Sequence, residues 1–149
     1  MTPGRRTLRY QSLDEIMPDV ERLLEGHTTV GNWTLAQICR HLAVVLRRVV
    51  DLPASTPADP SLLVSAEEKK RFFDSGVVQE GMPGPPQVMP TETLSEREEA
   101  EGLRQALAHY SASPGPVVPH RRFGALSRAE WDKFQLIHCA HHLSFAVPR

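Results

Sequence analysis

The chain has 149 residues, 40% of them hydrophobic, and its 17 basic and 18 acidic residues give a formal net charge of −1. This size suits one domain, residues 1–149, that buries a core without covalent supports. The near-neutral charge excludes a basic surface for a polyanion, so we expect neither a nucleic-acid nor a membrane partner. Because no secretory signal or long apolar run is present, we predict a soluble, cytoplasmic protein.

The first predicted helix follows an irregular arm, residues 1–11. Ser12 and Glu15 form a capping box at the head of a helix that runs to about Glu25. Pro18 falls inside this helix and cannot donate a backbone hydrogen bond. It must therefore either kink the helix or shift its effective start.

The second predicted helix has the clearest start, after a polar turn at residues 27–32. Thr34 and Gln37 form a capping box, and Trp33 with Ile38 occupies the positions of a hydrophobic staple. Pro53 ends the helix. Its predicted apolar stripe comprises Leu35, Ile38, Leu42, Val45, Leu46 and Val49.

A long proline-rich crossover follows, between residues 52 and 89, and its stretch 81–86 cannot be regular structure. The crossover contains one short helix, which Ser65 caps and which runs to about residue 74. Phe72 and Phe73 are expected to anchor this helix on the rest of the protein. Bundles with one or two long crossovers are a known helical architecture.

Two further capping boxes predict the remaining helices. Ser95 with Glu98 opens a helix that runs to about Tyr110, and Ser127 with Glu130 opens the last one after a second proline-rich loop. No strand alternation or hairpin signal occurs. We therefore predict an all-α fold, a four-helix bundle with long proline-rich crossovers and one short extra helix. The inner stripe of the last helix comprises Trp131, Phe134, Gln135, His138, His142 and Phe145.

Three histidines predict a divalent-metal site. His138 and His142 are four residues apart and so point the same way from the last helix, while His41 lies on the other strongly apolar helix. Neutral imidazole suits first-row divalent ions, of which zinc and nickel are the expected ones. In the alternative interpretation, the three are core-edge histidines that bond to carbonyls or to Gln37 and Gln135.

Several neighbours have expected roles around this site. Gln37 and Gln135 are candidate hydrogen-bond partners of the ligands, and Arg48, nearly on the face of His41, is a candidate contact for an anionic substrate. His141 is turned about 100° from His142, so we expect it either to support the ligands or the substrate from outside the ligand set or to face outward. Arg48 can equally be a solvated helix residue.

The cysteines and the missing motifs narrow the chemistry. Cys39 and Cys139 form no disulfide or zinc-ribbon pattern, and their angular offsets keep both thiols away from the ion. We expect them to be small buried apolar residues. Cys139 also occupies the position of the glutamate that a zinc-protease helix requires, which disfavours a metallopeptidase. No phosphate-binding, dinucleotide or nucleophile-elbow motif is present.

Four segments carry a family resemblance: residues 31–34 (GNWT), 37–42 (QICRHL), 123–127 (FGALS) with Trp131 after it, and 138–143 (HCAHHL). In this order they resemble the DinB/YfiT-like superfamily, and most closely a branch labelled as a domain of unknown function. The resemblance implies a four-helix bundle, often dimeric, with a metal held by His41, His138 and His142.

The same resemblance implies an activity. Characterised members are metal-dependent enzymes that act through low-molecular-weight thiols, among them thiol S-transferases and a mycothiol-dependent maleylpyruvate isomerase. We therefore expect a small-molecule substrate, a thiol cosubstrate and a homodimer. The rival hypothesis is a non-catalytic bundle, with or without structural metal, that dimerises or binds a partner through its crossovers.

Overall fold

The computed structural model describes residues 2–80, 90 and 93–149, and within them the chain is predominantly helical. The described elements are five α-helices and a two-stranded sheet. In chain order they are α1 (Ile16–Glu25), β1 (His27–Thr29), α2 (Leu35–Asp51), α3 (Ala66–Ser75), α4 (Glu96–Ala112), α5 (Arg128–Leu143) and β2 (Ala146–Pro148), with 3-10 helices at Leu13–Glu15 and Pro60–Leu62. The predicted irregular stretch 81–86 lies outside the described residues.

The predicted capping boxes of α2 and α5 are confirmed. The Gln37 backbone N–H donates to the Thr34 hydroxyl at 3.1 Å, and the Thr34 backbone N–H donates to the Gln37 side-chain carbonyl at 3.0 Å. Ser127 and Glu130 make the equivalent pair of bonds, at 3.1 and 3.0 Å. Each box satisfies backbone donors that the first helical turn leaves unpaired. The Ser65 cap of α3 is also confirmed, because its hydroxyl accepts from Glu68 at 3.1 Å.

The structure shows how α1 accommodates Pro18. Leu13–Glu15 forms a 3-10 turn, and the α-helix itself begins at Ile16. Pro18 therefore lies in the first α-helical turn, where a backbone N–H has no intrahelical acceptor in any case. Of the two alternatives, the shifted start is confirmed.

The prediction of an all-α fold is wrong in one respect, because β1 and β2 form a small antiparallel sheet. Thr28 pairs with Val147 at its centre. Just beyond the strands, the Arg149 N–H donates to the Gly26 carbonyl at 3.0 Å and the Val30 N–H donates to Phe145 at 2.9 Å. A three-residue strand is too short for a recognisable alternation, and its partner lies more than a hundred residues away.

The helices α1, α2, α4 and α5 share one hydrophobic core, to which α3 contributes no buried residue. The most extensive contact is between α2 and α4, with smaller contacts of α1 on α4 and of α2 on α5. The predicted four-helix-bundle arrangement stays a prediction. Among the residues that the structure describes, no helix combines the length and apolarity that a membrane crossing requires. The largest fully buried aliphatic side chains of this core are Ile16, Leu23, Leu35, Ile38, Leu42, Leu46, Leu103 and Leu143.

The N-terminal arm is irregular, as predicted, but it is held against the end of α5. Arg6 donates two hydrogen bonds to Asp19, both at 3.0 Å, and a third to the Leu143 carbonyl at 3.0 Å. Tyr10 donates its hydroxyl to the same Asp19 carboxylate at 2.6 Å. These bonds fix the arm to α1 and to the turn of α5 that carries His142.

Candidate metal centre

The structure brings together the three histidines that the sequence singled out. His41 comes from the middle of α2, between Ile38 and Leu42 of the core, and His138 and His142 come from successive turns of α5. One possible ligand atom from each ring lies within 4.8 Å of those of the other two. The helices α2 and α5 pack together, and the three imidazoles meet between them edge to face, with ring centroids 5.1, 4.5 and 4.7 Å apart.

The spacing of the ring nitrogens suits a metal ion. The Nε2 atoms of His41 and His138 are 3.3 Å apart. Two ligands bound about 2.0–2.1 Å from a tetrahedral ion are separated by about 3.3 Å. The group could therefore hold a metal, while the same distance also permits a hydrogen bond between the two imidazoles if one Nε2 is protonated.

The α5 histidines have the protonation state that a metal requires. Burial lowers the pKa of His138 well below its usual value, and the neighbouring imidazoles of His41, His141 and His120 lower it further. Burial is also the main cause that lowers the pKa of His142. Both imidazoles are therefore neutral at neutral pH, with a ring nitrogen free of its proton for coordination.

Aromatic rings flank the cluster on two sides. Trp33 stacks on His142, with ring centroids 5.3 Å apart and planes inclined by 15°, and lies 5.0 Å from the His41 ring. Phe134 stacks on His138 at 5.4 Å and 13°. The flanking rings shield the imidazoles from water and restrict how they can turn.

His141 lies outside the cluster, as the helical geometry predicts, but it is not turned to solvent. It is 9% exposed, and its Nδ1 lies 2.8 Å from the Arg5 guanidinium. Since a guanidinium can only donate, Nδ1 is the acceptor and the neutral ring carries its proton on Nε2. Arg5 also donates to the Ser144 hydroxyl at 2.6 Å and lies over the Phe145 ring. Sequence reasoning missed Arg5, because an irregular arm has no periodicity to analyse.

The other predicted neighbours occupy various positions. The Gln37 side chain takes part in the α2 capping box, and the Gln135 amide is fully buried, with neither its oxygen nor its nitrogen hydrogen-bonded to a described residue. Arg48 is half-buried on α2. The roles expected of these residues stay predictions. Cys39 and Cys139 are free, buried thiols whose pKa burial raises to about 12, so both are inert thiols at neutral pH.

A fourth histidine, His120, lies close to the site and was not among the predicted residues. Its Nδ1 accepts the backbone N–H groups of Arg122 and Phe123, at 3.0 and 3.2 Å. Its ring stacks on Phe123 and meets the edge of Phe134, both at 4.6 Å. Phe134 therefore separates His120 from His138. The loop sequence gives no periodic signal that could have identified His120.

Two open surface depressions, of about 440 and 350 Å³, lie beside α3. Lys70 and Asp74 line both, and no residue of the histidine cluster lines either. Lys70 and Asp74 pair with each other. These two depressions are therefore separate from the histidine cluster.

Fold and site together define a predominantly helical protein with a three-histidine group that could hold a metal ion. Comparison with known families found a match that covers almost the whole chain. Residues 3–149 match the family described as "Protein of unknown function (DUF1569)", and the chain belongs to that family. Neither a search of curated proteins nor a search of solved structures found a match.

Proposed function

We propose that this protein is a divalent-metal-dependent enzyme that uses a low-molecular-weight thiol, with His41, His138 and His142 as the metal ligands. The observation that carries the proposal is the convergence of three imidazoles on one point, with ligand atoms within 4.8 Å of one another. Burying several polar rings together is costly unless their nitrogens are satisfied. A shared ion would satisfy all three.

The donor set favours an anionic further ligand. Three imidazoles are neutral, and no Asp or Glu belongs to the ligand group found in the described residues. A divalent ion held there would keep its full charge and would lower the pKa of a thiol or of water bound to it. The Arg5 guanidinium lies beside His141 and adds positive charge near the same place, which Glu80 partly neutralises at 3.7 Å.

The protein's own residues would prepare the site for that chemistry. Trp33 and Phe134 restrict the rotation of His142 and His138 and keep water from their faces. Arg5 and His141 hold the last turn of α5. Arg48 remains a candidate contact for an anionic substrate, and no residue is assigned as a general acid or base.

The assignment to thiol chemistry rests on the resemblance of residues 37–42 and 138–143 to the DinB/YfiT-like superfamily. The same resemblance suggests a homodimer, which sedimentation analysis would test. The rival proposal is a non-catalytic helical protein. One observation favours this rival. The His41 and His138 Nε2 atoms are 3.3 Å apart, so the two rings can hydrogen-bond to each other without an ion.

The test is the metal content and thiol-transfer activity of protein purified without a histidine tag. We expect about one divalent ion per chain, lost in the His41→Ala and His138→Ala variants. The matched control is His109→Ala, because His109 is exposed on α4 and pairs with Asp51. Retention of metal by the control excludes a nonspecific effect of removing a histidine.

Activity is measured as transfer of bacillithiol, mycothiol or glutathione to a generic electrophile. We expect transfer with at least one of these thiols, and loss of transfer in the variants that lose metal. Protein that stays metal-free after incubation with zinc or nickel would contradict the proposal and favour the non-catalytic one. Metal-loaded protein that transfers none of the three thiols would contradict the thiol assignment alone.

A further inference from the structure

The stretch 131–138 of α5 carries an unusual concentration of unpartnered polar atoms. Trp131 Nε1, both polar atoms of the Gln135 side chain and His138 Nδ1 are buried without a hydrogen bond to any described residue. Trp131 is 2% exposed and Gln135 is fully buried. Since nearly all buried polar groups in folded proteins are hydrogen-bonded, several exceptions on one helix require an explanation.

These atoms lie on one side of α5. Trp131 and Gln135 are four residues apart, and Gln135 and His138 are three apart, so the three side chains follow one another on neighbouring turns. Trp131 does not belong to the main core cluster and packs instead against His120 and Phe134. Of these side chains, Trp131 lies at the boundary between α5 and the loop that carries His120.

His120 adds a further hydrogen-bond donor to this region. Because two backbone N–H groups donate to its Nδ1, the neutral ring must carry its proton on Nε2. Burial, followed by the charges of Arg122, Arg121 and Lys69, lowers the pKa of His120 to about 3, so the ring is neutral at neutral pH. No described residue accepts a hydrogen bond from Nε2, and this nitrogen is not among the fully buried unpartnered atoms. The ring is thus a fixed donor and cannot act as an acceptor there.

We propose that His120 Nε2 and Trp131 Nε1 are the hydrogen-bond donors of a subsite. The subsite would bind a carboxylate group of the substrate of the three-histidine site. The centroids of the two rings are 5.5 Å apart, so the two donors belong to neighbouring rings of the same region. The inference rests on the proposed function, because it assigns one part of that ligand. The structure connects the two sites through Phe134, which contacts both His120 and His138.

The charges around His120 favour a carboxylate over a neutral carbonyl. Arg121, Arg122 and Lys69 are the charged groups that act on its ring, and all three are cations. Lys69 is partly neutralised by Glu130, at 3.5 Å. A planar carboxylate would accept from both donors at once, and an aryl group next to it could pack against Phe123 and Phe134.

The experiment titrates benzoate into metal-free full-length protein and follows the two indole N–H signals by NMR. Working without metal excludes coordination of benzoate by an ion at the histidines. We expect the Trp131 signal to shift until the protein is saturated with benzoate and the Trp33 signal to stay in place. A Trp33→Phe variant, which keeps only the Trp131 indole, assigns the two signals. Benzyl alcohol, which lacks the carboxylate, should bind at least about tenfold more weakly.

Two substitutions of His120 separate its donor from its acceptor. In His120→Asn, the side-chain oxygen takes the place of Nδ1 and still accepts the two backbone N–H groups of the loop, but no donor replaces Nε2. In His120→Gln, the amide nitrogen takes the place of the Nε2 donor, and the two backbone hydrogen bonds are lost. We expect His120→Asn to weaken benzoate binding by about tenfold or more and His120→Gln by less than about threefold. His109→Asn, at an exposed position, should bind benzoate as the wild type does.

The possible results test the subsite and the proposed function separately. Unshifted Trp131, a shift of Trp33 alone, equal affinity for benzyl alcohol, or wild-type affinity in His120→Asn would each overturn the subsite. A protein that binds benzoate here but never takes up metal would contradict the proposed function and leave the subsite standing. A protein that takes up metal and ignores benzoate would contradict the subsite alone.

Discussion

Trp33 lies flat on His142, so the residue before the N-cap of α2 covers a histidine of the last helix. The same indole is 5.0 Å from His41, and it therefore contacts imidazoles from both helices of the cluster. The predicted staple between Trp33 and Ile38 concerned the start of α2 alone. In the structure, the residue that precedes this helix also restricts the candidate metal centre.

Trp33→Ala should weaken the site and the fold together. The half-buried indole packs against two of the three imidazoles, and its removal should lower the free energy of unfolding by about 1–2 kcal/mol and metal affinity by about tenfold. Urea unfolding and competition with a chelating dye measure the two effects. Trp33→Phe keeps an aromatic face and should therefore lose less stability and less metal affinity than Trp33→Ala. An unchanged metal affinity in Trp33→Ala would contradict the role of the indole.

Arg5→Met should weaken metal binding from outside the ligand set. Arg5 holds His141 and the Ser144 hydroxyl, and its loss should loosen the turn of α5 that carries His142 and reduce metal affinity about tenfold. Arg9→Met is the matched control, because Arg9 is an exposed residue of the same arm whose side chain, among the residues that the structure describes, donates to the Ser75 carbonyl and not to α5. Equal metal affinities in the two variants would show that the arm does not support the site.

Asp19 should contribute to stability in a pH-dependent way. Burial alone would raise the pKa of its carboxyl, but hydrogen bonds from Arg6 and Tyr10 outweigh burial and hold the pKa below its usual value. Its contribution is therefore present above the unfolded pKa, about 3.9, and is lost as the pH falls through the lower folded value. Asp19→Asn should cost about 2 kcal/mol at pH 7.

The measurement is urea unfolding at a series of pH values between 7 and 3. The difference between wild type and Asp19→Asn should narrow below about pH 4, because the carboxyl of the unfolded chain takes up a proton there before the native one does. Asp14→Asn, at an exposed position nearby, should unfold like the wild type throughout. A difference that stays constant down to pH 3 would mean that the Asp19 carboxylate is not held by its two donors.

His120 should make the protein less stable as the pH falls below about 6.5. Its folded pKa, about 3, lies below the unfolded value, so the unfolded chain takes up the proton first. Its contribution to stability should therefore decline by up to about 1.4 kcal/mol per pH unit between those values. Asparagine cannot titrate, so His120→Asn should show a shallower decline in urea unfolding. Parallel pH profiles would contradict the buried, neutral state of this ring.

Local signals allowed much of the fold to be predicted. Thr34 with Gln37, and Ser127 with Glu130, are pairs three residues apart whose hydrogen bonds need no other part of the chain, and both mark the true helix starts. Contacts between residues far apart in the sequence could not be predicted in this way. The pairing of Thr28 with Val147 and the bond of Arg5 to His141 depend on how the whole chain folds, so no short pattern shows them.

The candidate site was predictable for a related reason. His138 and His142 are neighbours on one helix face by geometry alone, and His41 shares its helix with the apolar residues that pack on α5. His120 gave no such signal, because its position is set by a loop and by two backbone N–H groups. Side chains on regular elements could thus be placed from the sequence, and those on loops could not.

The most direct test of the account is a crystal structure of zinc-loaded, tag-free protein, with anomalous data collected on both sides of the zinc absorption edge. The account predicts one strong anomalous peak about 2.0–2.1 Å from a ring nitrogen of each of His41, His138 and His142. A structure in which the three imidazoles bond to one another, with no anomalous signal between them at saturating zinc, would contradict it.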